Sequence, residues 1–222
     1  MKNFDLNLLQ KMHISTEVTK LNGNKNDFEG IFNIIPCFNL PVGITCREDC
    51  TCRDKCYAKR GNFRFENVKR SLMNNLKAWR ELPHEIFEMK IISFAQMSKF
   101  FRWHSSGDIP DEEYVDSMYK IADSCRKTRF LCFTKKDELV NEYISKYGKP
   151  KNLQILLSAW GDFIPDNPHN LPMAYIRLKS GEGADKIPKT AYECPGNCAT
   201  CTLKRKHCWN LKPGEAVVFN QH

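Results

Sequence analysis

The sequence predicts an α/β fold resting on parallel strands, either an incomplete parallel β/α barrel or an open parallel sheet, with a small cysteine-rich metal-binding segment at its C-terminal end. Three observations predict it. Short apolar runs bounded by turn formers alternate with stretches of helical periodicity, the pattern of βαβ units. The apolar runs end in small and polar residues, "HSSGD", "TKK" and "SAWGD". The units are too few for a closed eight-stranded barrel.

Taken in order, residues 1–30 are polar and weakly periodic, with the turn-rich "LNGNKNDFEG", and are expected to form a leader packed onto the domain. The core is expected over residues 31–180. "IFNIIPCFNLP" is apolar and bounded by proline and glycine, which predicts a first buried strand leading into a cysteine loop over residues 46–56. Val68, Leu72, Leu76 and Trp79 recur at helical spacing. Pro83 interrupts the pattern, and "HEIFEMKIISFAQMSK" resumes it as a second helix. "FFRWHSSGD" predicts a strand running into a loop, followed by a helix marked by Val115, Met118, Tyr119 and Ala122. "TRFLCFTKK" repeats that pattern, with Val140, Tyr143, Ile144 and Tyr147 on the next helix. "LQILLSAWGD" predicts a third such strand and "MAYIRLK" a weaker fourth. The charged "KSGEGADKIPKT" leads into a C-terminal segment over residues 181–222, which closes on the strand pattern "EAVVFN".

Composition narrows the chemistry. No apolar run approaches the roughly 18–20 residues that cross a bilayer, so no membrane partner is expected. The first twenty residues lack the apolar run and cleavage site of a secretory signal, which predicts a reducing cytoplasm. Eleven cysteines in such a compartment point to metal or redox chemistry rather than to disulfides. A net charge of +8 makes nucleic acid a candidate partner, and equally suits a solvated basic face. Gly-rich dinucleotide and phosphate loops, nucleophile elbows and zincin helices are absent from the sequence.

Ligands of parallel α/β folds gather where strands end. His104, Ser105, Ser106, Gly107 and Asp108, then Thr134, Lys135 and Lys136, then Ser158, Trp160 and Asp162 are therefore expected to surround one mouth of the sheet, together with the cysteine loop. Taken singly, these polar residues suit helix caps equally well. The loop carries Cys46, Cys50, Cys52 and Cys56 amid Arg47, Arg53, Lys55, Lys59 and Arg60. Cations lower thiol pKa values and offset the charge of bound thiolates. Side chains two apart in an extended loop diverge, so Cys50 and Cys52 are not expected to share one tetrahedral zinc. The second group is Cys194, Cys198, Cys201 and Cys208, with His207 as a substitute ligand. It suits structural zinc or a four-cysteine iron–sulfur centre. Cys37, Cys125 and Cys132 sit in apolar runs and are expected to be buried, with Cys37 a spare ligand.

These residues carry a resemblance. Cys46, Cys52, Cys56, Tyr57 and Ala58, then "RWHSSGD", "FTKK" and a late cluster ending in "HCW", resemble the phage gene-product-eighty-eight family over residues 31–210. The order of parts also resembles radical S-adenosylmethionine enzymes. That second resemblance implies a [4Fe–4S] cluster on Cys46, Cys52 and Cys56 with one iron open to S-adenosylmethionine, and Cys50 as competitor or fourth ligand. It implies that Asp108, Ser106, Gly107 and His104 meet the cofactor, and that Thr134, Lys135 and Ser158 face ribose, carboxylate or substrate. Asp108 and Lys135 are then the catalytic candidates, the C-terminal cysteines hold a second cluster or a structural metal, and an electron donor is required. The spacing departs from C-x3-C-x2-C, since the third position after Cys46 and Cys50 falls on Arg53, and Asp108 stands where the implied motif has glutamate. The rival reading is a non-enzymatic, zinc-stapled nucleic-acid-binding protein. In it Arg60, Arg64, Lys69, Arg70, Lys204, Arg205 and Lys206 contact phosphates.

Overall fold

The structure, a computed structural model, describes residues 5–17, 35–196, 198–202 and 207–221. The strands are β1 (Ile14–Glu17), β2 (Ile35–Phe38), β3 (Phe100–Trp103), β4 (Arg129–Thr134), β5 (Leu153–Ser158), β6 (Met173–Arg177), β7 (Tyr192–Glu193) and β8 (Ala216–Asn220). The helices are α1 (Leu6–Lys11), α2 (Glu66–Glu81), α3 (His84–Ala95), α4 (Glu112–Ser124), α5 (Asp137–Tyr147) and the single turn α6 (Cys198–Cys201). One open sheet runs in the order β1-β2-β3-β4-β5-β6-β8-β7 and does not close into a barrel. Every neighbouring pair is parallel except β1 with β2.

Strands β2 to β6 lie side by side in chain order, and right-handed crossovers between such neighbours deliver their helices to one face. Alternation along the strands shows this. Phe101, Trp103, Phe130, Cys132, Ile155 and Leu157 pack into a core with Leu76 and Trp79 of α2, Phe87 of α3, Met118 of α4 and Val140 of α5. Their strand neighbours Phe100, Leu131 and Leu156 face the other way. No helix from α1 to α5 covers that second face. The C-terminal segment does, with Cys208, Trp209 and Leu211 against Phe100, Leu131, Leu156, Ala174 and Val217. Trp209 Nε1 donates to the Phe101 carbonyl at 3.3 Å, and Gln154 Nε2 donates to the Leu211 carbonyl at 2.7 Å.

Local signals set the helix ends. Asp111 caps α4 by accepting from Tyr114 N and also accepts from Trp79 Nε1 at 2.9 Å, which ties α2 to α4. Pro83 stands before α3, where its missing N–H costs nothing. Among the described residues no helix is long and apolar enough to cross a membrane.

Two segments are more integrated than expected. The described part of the leader supplies α1 and the edge strand β1, whose Ser15 pairs with Cys37. The C-terminal segment supplies β8, which enters the sheet between β6 and β7. Residues 31–34 of the anticipated first strand, and Lys204, Arg205 and Lys206, lie outside the described residues.

Candidate metal centre at the strand ends

The turn after β3 is built as a knot. His104 adopts φ +56° and Gly107 φ +79°. A Cβ on Gly107 would stand 2.7 Å from the Leu40 carbonyl oxygen, so this position admits only glycine. Ser106 accepts at its carbonyl from Leu40 N at 2.9 Å and donates from Oγ to the Leu40 carbonyl at 2.8 Å. Asn39 Oδ1 accepts from Ser105 N at 2.6 Å and from Ser106 N at 3.3 Å. These bonds extend the pairing of β2 with β3 beyond the strands themselves.

Asp108 is the pin of the knot. Its carboxylate accepts from Thr134 Oγ1 at 2.6 Å, Ile109 N at 2.8 Å and Lys135 N at 3.0 Å. Its own N–H donates to Thr45 Oγ1 at 3.0 Å. Burial raises its carboxyl pKa, although the three donors pull the other way. Ser106, Asp108 and Thr134, expected at a cofactor, thus spend these bonds joining the ends of β2, β3 and β4. His104 is buried with Nε2 3.0 Å from the Tyr114 hydroxyl, and burial lowers its pKa to about 3. Ser158 is half-buried at the end of β5, in register with Ala174.

The cysteine loop lies across these ends. Arg47 Nη1 donates to the Lys135 carbonyl at 3.2 Å and to Asp137 Oδ1 at 2.7 Å, clamping the loop to the start of α5. The Tyr57 hydroxyl donates to the Ser105 carbonyl. Cys52 packs with Trp160 and Leu178, against which Cys50 and Ile176 also rest. The loop therefore spans the chain just beyond β3, β4, β5 and β6. The expected convergence of cysteine loop and polar strand ends is present.

Cys50 and Cys52 do not diverge. Their sulfurs are 2.8 Å apart, because the backbone here runs through successive turns, Cys50 N to Arg47 O, Arg53 N to Cys50 O and Lys55 N to Cys52 O, instead of extending. The gap is too long for a disulfide, and none of the eleven cysteines is disulfide-bonded. The hydrogen bond to Cys52 raises the Cys50 pKa. Cys52 is lowered by its bond to Cys50 but raised further by its bond to Cys56 and by burial, and the net shift is upward. The bond to Cys52 lowers Cys56 to about 7. Cys46 is raised, chiefly by burial, and senses the charges of Asp108, Cys50 and Cys52. The pattern is a relay in which Cys50 supports Cys52, Cys52 supports Cys56, and negative charge settles on Cys56. Lys135, with Nζ 5.8 Å from the Trp160 ring centre, lowers Cys50, Cys52 and Cys56 together.

The donor set fits a thiolate-bound group, since clustered thiolates select zinc or iron–sulfur. The sulfurs are neighbours, not a finished coordination shell: among the described residues no group of three or more His, Cys, Asp or Glu side chains is arranged to hold an ion. The second cysteine group sits apart, on the face that α1 to α5 leave uncovered. Cys208 is buried, its pKa raised by burial and then by Cys194, Cys201 and Cys198. Arg102 Nη1 donates to Cys198 Sγ at 3.3 Å, and the Tyr192 hydroxyl lies 3.7 Å from Cys201 Sγ. Cys37, Cys125 and Cys132 are buried as expected.

Sequence reasoning passed over Asn39, Thr45 and Arg102, and took Arg47 as a cation beside the thiols and not as the clamp to Asp137. Two of them carried a readable signal. Asn39 is the polar break in "IPCFNLP", and Arg102 is the lone cation inside an aromatic strand. The model of a family described as Gene product 88 matches residues 8–176 of the chain. No curated protein and no solved structure matches it.

Proposed function

We propose that this chain, which belongs to the Gene product 88 family and so stands among phage gene products, is an iron–sulfur enzyme of the radical S-adenosylmethionine type. The observation that carries the proposal is the seating of four thiols, Cys46, Cys50, Cys52 and Cys56, over the C-terminal ends of a singly wound parallel sheet. Cys46, Cys52 and Cys56 would hold a [4Fe–4S] cluster there. When bound, such a cluster would supply one electron to the sulfonium of S-adenosylmethionine, drawn from an electron-donor protein. Lys135 would hold positive charge beside the thiolates and Trp160 would shield them from water. Asp108, Ser106 and Thr134 would act by fixing the turn on which the cofactor rests, and Ser158 would face the open side. The cysteines around Cys208 would hold a second cluster or a structural metal.

A second reading has its own observation, the 2.8 Å approach of Cys50 to Cys52. With Cys50 as a fourth ligand the site is closed, which suits a zinc-stapled, non-enzymatic protein. Anaerobic purification followed by metal and sulfide analysis separates the two. The first reading expects brown protein, retained colour at the loop in Cys50→Ala, and its loss in Cys46→Ala, Cys52→Ala and Cys56→Ala. Reduced protein is expected to convert S-adenosylmethionine to methionine and 5′-deoxyadenosine. Colourless protein holding zinc in both cysteine groups would overturn it.

A further inference from the structure

The cysteine loop leads directly into a basic exposed surface. Residues 53–70 carry seven Lys and Arg against two carboxylates, in a protein whose whole excess is +8. Lys69 pairs with Glu66 at 2.7 Å. Among the described residues Lys55, Lys59, Arg60, Arg64 and Arg70 are exposed and have no carboxylate within ion-pair distance.

Aromatic rings are set among these cations. Phe65, at the N-cap of α2, is 60% exposed, and Tyr57 is 50% exposed. Among the described Phe, Tyr and Trp rings only Tyr147, on α5, is as exposed, in a protein that buries Phe38, Phe87, Phe101, Trp103 and Phe130 completely. Neither ring dangles. Tyr57 is anchored by its hydroxyl to the Ser105 carbonyl and edge-on to Phe63, with centroids 6.2 Å apart. Phe65 closes a tight turn through its N–H to the Asn62 carbonyl at 3.2 Å. The chain thus presents two exposed rings between guanidinium and ammonium groups, Tyr57 held by its own hydroxyl and Phe65 carried on a backbone turn.

We propose that residues 55–70 form a track for single-stranded nucleic acid that leads to the thiol site. Phosphates meet Lys and Arg, releasing condensed counterions. Unstacked bases lie on the ring faces, which a duplex, its bases already stacked, does not require. Tyr57 directly follows Cys56 and is anchored to the Ser105 carbonyl beside the thiols, so a strand held by Tyr57 and Phe65 passes beside the loop. The inference deepens the proposed function by naming its substrate class, but its test does not depend on that function.

Full-length protein is titrated into a fluorescently labelled oligonucleotide, as single-stranded DNA, as single-stranded RNA and as the DNA duplex, over a range of salt. Anionic phospholipid vesicles serve as a separate arm. Single strands are expected to bind more tightly than the duplex, and the two single-stranded arms tell DNA from RNA. Phe65→Ala should weaken single-strand binding about tenfold, the loss of one base stack. The double variant Arg60→Gln/Arg64→Gln should lower the slope of log affinity against log salt by about 1.4, or about 0.7 per lost phosphate contact. Met97→Ala, at an 82% exposed methionine preceding β3, is the control and should change neither. Circular dichroism checks folding, and metal content is read from the same samples. Equal binding of duplex and single strand with Phe65→Ala neutral overturns the proposal, as does binding to vesicles but to no oligonucleotide. Absence of binding by protein that retains its metal overturns the track while leaving the metal centre standing.

Discussion

Two neighbouring stretches at one end of the sheet differ in what they do with their polar atoms. The turn 104–108 is closed on itself: His104, Ser106 and Asp108 are buried and hydrogen-bonded to Tyr114, Leu40, Thr134 and Lys135. The loop 46–56 is tied down at its ends by Arg47 and by Tyr57 just beyond it, yet its thiols bond chiefly to one another and three of the four are only half-buried. The turn spends its polar atoms on the framework, and the loop keeps its thiols beside one another. A polar motif at a strand end is thus not evidence of a ligand until its bonds have been counted, because the framework itself consumes buried polar groups.

The largest effect on stability is expected at Gly107. A methyl group there meets the Leu40 carbonyl at 2.7 Å in a backbone conformation of φ +79°. The left-handed backbone and the overlap together should cost Gly107→Ala about 3 kcal/mol, read as a lowered urea midpoint. A change below about 1 kcal/mol would show that the turn yields easily and is not framework.

His104 gives the next largest effect, and it depends on pH. Its folded pKa, about 3, lies below the ordinary histidine value near 6.5, so the unfolded chain takes up a proton first as pH falls. The stability it contributes is complete above pH 6.5 and is lost as pH falls toward 3, amounting to about 2 kcal/mol by pH 5. Asp108 works in the opposite direction. Its carboxyl is raised, so its contribution is lost as pH rises from the ordinary carboxylate value through the folded one. His104→Asn keeps a residue that tolerates positive φ. It should lose the first dependence and keep the second, giving a urea midpoint that falls less than wild type between pH 7 and pH 5. An unchanged pH profile would mean that His104 is not buried in its neutral form.

Much of this architecture was legible in the sequence, for physical reasons. Runs such as "FFRW", "RFLCFT" and "LQILLS" carry apolar residues on both faces because helices cover one side and the C-terminal segment the other. Helices α2, α4 and α5 announced themselves by the spacing of Leu72, Val115 and Val140 with their partners. Strand β1 did not, since "ISTE" is only four residues at the sheet edge, and β7 is only two residues long. The gathering of the cysteine loop and strand ends was legible from topology alone. The duties of individual residues were not. Ser106, Asp108 and Thr134 read as ligands because a sequence shows polar atoms and not the partners that consume them. Cys50 and Cys52 read as divergent because an extended loop was assumed where three consecutive turns fold the chain back.

The smallest effect on stability is expected in the loop, where the chemical effect is largest. Cys56 is half-buried, and exchanging its sulfur for oxygen removes little buried surface, so Cys56→Ser should shift the urea midpoint of metal-free protein by less than about 1 kcal/mol. Yet Cys56 is the acceptor at the end of the thiol relay, lowered to about 7, while Cys46, Cys50 and Cys52 are all raised. At pH 7 about half of Cys56 is thiolate and its neighbours are almost wholly thiol, and alkylation proceeds through the thiolate. Brief iodoacetamide treatment of metal-free protein, followed by peptide mass spectrometry, should therefore mark Cys56 before the other three. Cys52→Ala removes the donor that supports the Cys56 thiolate and should slow that reaction, whereas Cys50→Ala, one step further along the relay, should slow it less. Equal labelling of all four thiols would mean that the sulfurs do not communicate, and the distinction between a saturated turn and a poised loop would fail on the side that matters for function.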